Sequence, residues 1–224
     1  MRQRHRPSLH QNSSLVLHKD SENYPATLMD ELADFDGCVW ALGASSRVMK
    51  EPAYMKLTHD FPMSFIQSLT AARQRIADSN STALRPFRFV YVSGEGADRS
   101  EKSSLLFARV KGKAENDLIK LAASSSTNMQ AYAYRPGSFY PDHPTDRKET
   151  RGTGAGVANI VLSPVLRAIN LFVPGMYIPI RGIAAVAIEL AKGRLANEEG
   201  DGDGLTEVVD SKRIVSLCKT WNLL

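Results

Sequence analysis

Cysteine and histidine are scarce in this chain of 224 residues. The two cysteines, Cys38 and Cys218, lie far apart among apolar residues and form no CxxC pair. The five histidines are scattered, without the close spacing that metal ligands take along a chain. The sequence therefore predicts no metal site. It predicts two reduced, buried thiols in a reducing compartment.

Long uninterrupted apolar runs are also lacking. The most apolar region covers residues 160–191, but Arg167 and Arg181 interrupt it, and the run 168–180 is too short to span a bilayer. The start of the chain lacks the apolar core of a secretory signal, so we expect a cytoplasmic protein. Mitochondrial targeting stays an alternative, because the N-terminal segment is basic and contains no acidic residue. We expect region 160–191 to cover a substrate pocket, with dimer packing or peripheral membrane contact as alternatives.

Acidic residues are absent from the first 19 positions. Four of the 28 lysines and arginines lie there, which leaves 24 to balance the 24 acidic residues of the remaining chain. The formal charge of +4 is therefore an end effect, and no nucleic-acid partner is expected. We expect a basic tail over residues 1–13 and a single domain over 14–224, in which residues 160–224 form the substrate side.

Apolar strand patterns alternate with amphipathic helix patterns along the rest of the chain. Such alternation predicts an α/β fold, in which a parallel sheet with right-handed crossovers carries helices on both faces. Strands are predicted at 14–20, 37–46, 87–96, 129–141 and 205–210, and helices at 24–35, 51–77, 103–122 and 211–221, with a kink at Pro62.

Glycine occurs where three of these strands end, at Gly43, Gly94 and Gly137. The carboxyl ends of parallel strands meet at one edge of the sheet, and ligands of open α/β sheets bind there. Glycine lets a ligand approach the backbone closely. The sequence therefore predicts a ligand site at this edge.

Four stretches carry a resemblance to a known group of proteins. "DGCVWALGASS", "FRFVYVSGEGAD", "LFARVKGKAEN" and "YAYRPGSFYP", at their separations here, resemble the atypical short-chain dehydrogenase/reductases. Within that group the chain is similar to fungal nucleoside-diphosphate-sugar epimerase-like proteins and to Tat-interacting-protein-like reductases. The resemblance implies a Rossmann-type fold that binds NADP or NAD and takes a small-molecule substrate.

The resemblance also implies roles for single residues. Lys111 would hydrogen-bond the nicotinamide ribose, and Pro136 and Gly137 would pass near the nicotinamide. Gly43 and Ala44 would lie against the adenine-side ribose and the pyrophosphate. The predicted cofactor site thus spans the carboxyl edge of the sheet.

Two more cofactor contacts are implied near the start of the chain. Asp20 matches an acidic position that touches adenine, and Arg6 or Arg4 would meet a 2′-phosphate. No glycine-rich strand-turn-helix unit precedes residue 14, so we expect the N-terminal strand-helix-strand unit of the fold to be missing. The "GTGAG" stretch at 152–156 follows polar residues instead of a strand, and we expect a loop there.

The main departure from the group is at the proton-transfer position. Members carry a tyrosine four residues before the lysine, and here that residue is Phe107, which has no hydroxyl. Ser93 is the only hydroxyl in the turn where members place a serine or threonine. His59 and Asp60 are adjacent on a predicted helix, so we do not expect them to face each other as a catalytic pair.

Three hypotheses follow. The first is an NAD(P)-dependent oxidoreductase or epimerase-like enzyme, whose activity Phe107 places in doubt. The second is a non-catalytic protein that binds a dinucleotide and acts through protein contacts. The third is a truncated gene product without a function of its own.

Overall fold

The structure is a computed structural model that describes residues 14–124, 128–140, 177–195 and 206–223. Several features of the sequence lie outside these residues: the tail with Arg6, the stretch 152–156 and the first part of region 160–191. Within the described ranges, no helix has both the length and the apolar character needed to cross a membrane.

Strands and helices alternate along the chain, as predicted, with shorter strands. The strands are β1 (Gly37–Trp40), β2 (Phe87–Val92), β3 (Met129–Tyr134), β4 (Ser138–Tyr140), β5 (Tyr177–Pro179) and β6 (Thr206–Val209). The helices are α1 (Ala26–Leu32), α2 (Glu51–Met55), α3 (Phe61–Asn80), α4 (Leu106–Ala122), α5 (Ile180–Ala191) and α6 (Ser211–Thr220), and a π-helical turn (Lys56–Asp60) joins α2 to α3.

The main sheet has four strands in the order β1-β2-β3-β6, and all neighbours are parallel. Trp40 pairs with Tyr91, and Tyr134 pairs with both Val92 and Val209. The ends of the four strands therefore reach the same edge. Strands β4 and β5 form a separate parallel pair.

Helices cover both faces of the main sheet. Phe87, Phe89 and Tyr91 of β2 belong to a core with residues of α1, α3 and α4, whereas Val90 belongs to a core with residues of α5 and α6. A strand that is buried on both faces is mostly apolar, and Arg88 is the one charged residue of β2. The predicted α/β class with helices on both faces is confirmed.

The irregularity predicted at Pro62 takes the form of a π-helical turn. Pro62 is the second residue of α3, and the π turn occupies the five residues just before that helix. Proline has no N–H to donate and its ring crowds the carbonyl one turn back. A wider turn accommodates both effects within a continuous helix.

The strand predicted at 14–20 is wrong. This segment has no regular structure, and Leu15 and Leu17 are 68% and 85% exposed. A strand needs a neighbour for its backbone hydrogen bonds, and none of the described strands pairs with this segment.

Candidate functional site

Backbone hydrogen bonds join the strand ends at the carboxyl edge of the sheet. Ser93 N donates to Tyr134 O at 2.7 Å, and Glu95 N donates to Pro136 O at 3.1 Å. The turns after β2 and β3 are therefore in contact. Gly43 lies three residues beyond Trp40 at the same edge, in an exposed loop where a Cβ on Gly43 would meet no atom within 4 Å.

Lys111 reaches this edge because helix α4 packs closely on the loop that follows β2. A Cβ on Gly112 would overlap the carbonyl of Asp98, so only glycine permits this approach. The Lys111 ammonium donates to the carbonyl oxygen of Ser93, and to that of Val92 at 3.4 Å. A Cβ on Gly94 would lie 3.6 Å from Lys111 Nζ. The predicted convergence of Lys111 with the end of β2 is thus present.

The electrostatic setting of Lys111 is unusual for a lysine. Burial lowers its pKa to about 8, and the negative charge of Glu115 opposes this shift. Among the described residues Lys111 has no ion-pair partner, and its hydrogen bonds go to neutral carbonyls. A buried ammonium without a counter-ion loses hydration energy, which shifts the equilibrium toward the neutral amine.

A buried group of three side chains lies beside Lys111. Glu115 is 0% exposed and accepts hydrogen bonds from Ser93 Oγ at 2.5 Å and from Arg135 Nε at 2.9 Å. Arg135 Nη2 donates to its second oxygen, so the pair is bidentate. This group was not predicted from the sequence. Two sequence features could have indicated it: a glutamate one helical turn after Lys111, and the arginine just before Pro136.

Ser93 and Phe107, which stand at or near the proton-transfer positions of the group that the chain resembles, lie near Lys111 but differ in environment. Ser93 is 3% exposed and its hydroxyl donates to the buried Glu115 carboxylate. Phe107 lies one helical turn before Lys111, and its ring is 3.7 Å from where a Cβ on Gly96 would stand. This side chain covers the turn after β2 and supplies no proton.

Asp20 forms a local turn. Its Oδ1 accepts from the backbone N–H groups of Glu22 at 3.0 Å and Asn23 at 3.2 Å, and its Oδ2 accepts from the Asn23 side chain at 3.0 Å. The side-chain bond from Asn23 is the main cause of a lowered Asp20 pKa. The adenine contact implied for Asp20 stays a prediction, as do those of Gly43 and Ala44.

The expectation that His59 and Asp60 do not face each other is wrong. His59 Nδ1 is 2.7 Å from Asp60 Oδ1, and its Nε2 is 2.9 Å from Asp117 Oδ2 on α4. Local helical spacing could not indicate this, because Asp117 comes from a neighbouring helix and orients the ring. The hydrogen bonds of Asp117 to Lys120, His59 and Lys113 keep its pKa well below the usual range despite partial burial. This group joins the π turn to α4.

Two cavities lined by described residues lie at the opposite, amino edge of the sheet. Their volumes are about 190 Å³ and 720 Å³, and residues 77 and 82–84 line both. Arg73 lines the smaller cavity and is 5% exposed. Its guanidinium donates to three backbone carbonyls, those of Ala33 (2.6 Å), Phe35 (3.1 Å) and Arg85 (2.6 Å). This side chain ties the turns before β1 and β2 to α3.

Neither metal ligation nor thiol chemistry is favoured in the part of the chain that the structure describes. It contains no group of three or more histidine, cysteine or acidic side chains that could hold a metal ion. Burial raises the pKa of Cys38 to about 12 and also raises that of Cys218. Thiols of this kind are unreactive at neutral pH.

A parallel four-stranded sheet with helices on both faces and a polar group at its carboxyl edge defines a Rossmann-like α/β protein. Two solved structures are similar to it. Ligand-free aldohexose dehydrogenase from Thermoplasma acidophilum has a TM-score of 0.57 and 14% identity, over 88% of this chain and 77% of that one. An oxidoreductase of the short-chain dehydrogenase/reductase family from Burkholderia thailandensis has a TM-score of 0.53 and 14% identity, over 92% and 77%.

These similarities establish a fold like that of the short-chain dehydrogenase/reductases. No family model matches the chain, and no curated protein matches it.

Proposed function

We propose that this chain binds a nicotinamide dinucleotide, NADP(H) or NAD(H), at the carboxyl edge of its sheet, as an atypical, epimerase-like member of the short-chain dehydrogenase/reductase class. The supporting observation is the position of Lys111. Its ammonium is held against the carbonyl of Ser93 at the end of a central strand. An open α/β sheet binds its ligand at this edge.

The described residues fit one half of such a cofactor. Lys111 offers a cation to ribose hydroxyls, and Pro136 and Gly137 form a partly buried turn beside the end of β2. Gly43 offers exposed backbone on the other side. A glycine-rich turn that leads directly into a helix N-terminus, which would hold the pyrophosphate, is not found among the described residues. The fit therefore concerns the nicotinamide side.

The same residues favour binding over rapid chemistry. A bound nicotinamide would supply the hydride for carbonyl reduction. The carbonyl oxygen then needs a proton, and Phe107 has none to give. The Ser93 hydroxyl is engaged by Glu115. General acid catalysis contributes roughly a hundredfold to ten-thousandfold, so without it the protein is at best a slow oxidoreductase.

Ligand-dependent thermal stability tests the proposal. The full chain is heated with and without 1 mM NADPH or NADH. A ligand at a hundred times its dissociation constant adds about 2.7 kcal/mol, or about 5–10 °C for a chain of this size. We expect one dinucleotide to raise Tm and Lys111→Met to reduce that rise. Lys120→Met is the matched control, since Lys120 is on the same helix and its side chain is 75% exposed.

An unchanged Tm with both dinucleotides would contradict the proposal that the chain binds one of them. An equal rise in the wild type and in Lys111→Met would show that binding occurs at another place. The second candidate function, a non-catalytic binder that acts through protein contacts, predicts the same rise in Tm with no turnover of any carbonyl compound.

A further inference from the structure

Lys111 differs from its neighbours on α4 in how its charge is compensated. Lys113 and Lys120 both pair with Asp117, at 3.0 Å and 2.9 Å. Lys111 donates only to backbone carbonyls among the described residues. One helix thus carries two ordinary ion-paired lysines and one ammonium without a counter-ion.

The charged groups around Lys111 do not neutralise it. Glu115, one turn further along α4, is engaged by Arg135 at the end of β3. Glu95, in the loop after β2, is exposed, and its negative charge helps to raise the pKa of Arg135. Burial therefore dominates, and the pKa of Lys111 is lowered to about 8, whereas the bond to Asp117 raises the pKa of Lys120.

Small residues form the turn next to the Lys111 amine, and its hydrogen-bond acceptors are the backbone carbonyls of Val92 and Ser93. Two glycines, Gly94 and Gly96, form the turn beside it, and Phe107 lies one helical turn away on the same face of α4. A Cβ on Gly94 would stand only 3.6 Å from Nζ, so the missing side chain leaves the amine approachable from the turn. Small residues beside the amine suit a small carbonyl compound.

We propose that Lys111 is a nucleophilic amine that captures small aldehydes as an imine. The nitrogen lone pair attacks the carbonyl carbon and forms a carbinolamine. The C–O bond then breaks, and both amine hydrogens leave with the oxygen as water, so the step needs no redox partner. This inference deepens the proposed function, on which it rests for the ligand-facing position of Lys111, by naming a class of carbonyl ligand.

Reductive trapping measures the reactivity of each lysine in the wild-type chain. Butyraldehyde and cyanoborohydride are added at pH 7. The cyanoborohydride delivers hydride to the imine carbon, which makes the label permanent. Peptide mass mapping then gives the labelling rate at each lysine. A pKa of about 8 leaves about a tenth of the amine neutral at pH 7, whereas an ordinary lysine has about one part in three thousand. We expect labelling at Lys111 to be at least about tenfold faster than at Lys113 and Lys120.

Equal or slower labelling at Lys111 would overturn the inference. Labelling in 8 M urea is the control, because an advantage that comes from the fold disappears when the chain unfolds. A repeat with 1 mM NADPH and with 1 mM NADH separates the two proposals. Fast labelling that a dinucleotide suppresses supports both, and fast labelling that neither affects supports the reactive amine alone and counts against dinucleotide binding at Lys111.

Discussion

Each edge of the sheet contains one largely buried arginine, and the two are used differently. Arg73, at the amino edge, donates to three backbone carbonyls. Arg135, at the carboxyl edge, forms a bidentate pair with the fully buried Glu115, which also accepts from Ser93. The first arginine fastens loops to a helix, whereas the second fixes side chains beside Lys111. The arginine at the amino edge therefore holds backbone segments together, and the arginine at the carboxyl edge holds the Glu115 and Ser93 side chains in position.

The largest loss of stability is expected from Glu115→Ala, which removes the acceptor at the carboxyl edge. The change leaves a partly buried guanidinium and a buried hydroxyl without their acceptor, and breaking a buried pair in this way costs about 3–5 kcal/mol. Urea unfolding measures the loss. Glu31→Ala, at an exposed position of α1, is the control and should change the free energy of unfolding by less than about 0.5 kcal/mol. A loss below about 1 kcal/mol for Glu115→Ala would mean that the pair is not a buried ionic contact.

At the amino edge, Arg73→Met should lower the free energy of unfolding by about 2–3 kcal/mol, because three carbonyls lose their donor while the apolar stem is kept. Its control is Arg75→Met, since Arg75 and its partner Asp30 form a half-exposed surface pair worth about 0–1 kcal/mol. The dinucleotide-dependent rise in Tm should survive Arg73→Met. A lost response there would contradict the division of roles between the two edges.

The features that follow from strand topology could be predicted from the sequence. The mostly apolar segments at β2 and β3, in which Arg88 and Gln130 are the exceptions, predict a sheet covered on both faces. Once the strands are parallel, Ser93 and Pro136 must meet at one edge. The position of Lys111 near this edge could also be predicted, because Lys111 lies on the helix that follows β2.

Features that depend on a partner from a distant element could not be predicted. Glu115 and Arg135 are 20 residues apart, and only the crossover between β2 and β3 brings them together. His59 is oriented by Asp117, which is 58 residues away. The strand predicted at 14–20 has a short apolar run followed by polar residues, but this pattern does not supply the neighbouring strand that it needs.

The pH dependence of stability tests the environment of Lys111. Its pKa is about 8 in the folded chain, against an ordinary value of 10.5, so between these values the unfolded chain binds more protons. Stability should therefore rise with pH in this window, by at most about 1.4 kcal/mol per pH unit. Below pH 8 both states are protonated, and the full cost of the buried ammonium is present.

Relative to Lys111→Met, the wild type should gain about 1–2 kcal/mol between pH 8 and pH 10. The same comparison with Lys120→Met should show no such gain, and a flat difference for Lys111→Met would contradict the shifted pKa.

The smallest change in stability is expected from Phe107→Tyr, within about 0.5 kcal/mol, because one hydroxyl is added to a partly buried ring. Its effect on chemistry distinguishes the two candidate functions. A phenol one turn before Lys111 would gain the acidity that proton transfer needs from the nearby ammonium. NADPH-dependent reduction of a panel of aldehydes and ketones, followed at 340 nm, should rise from an undetectable or slow rate if the site is otherwise complete. Activity that appears with Phe107→Tyr and is lost again when Lys111→Met is added would favour an oxidoreductase that has lost its proton donor. A variant that still binds dinucleotide but turns over nothing would favour the non-catalytic binder, because the donor would then not be the only part that catalysis lacks.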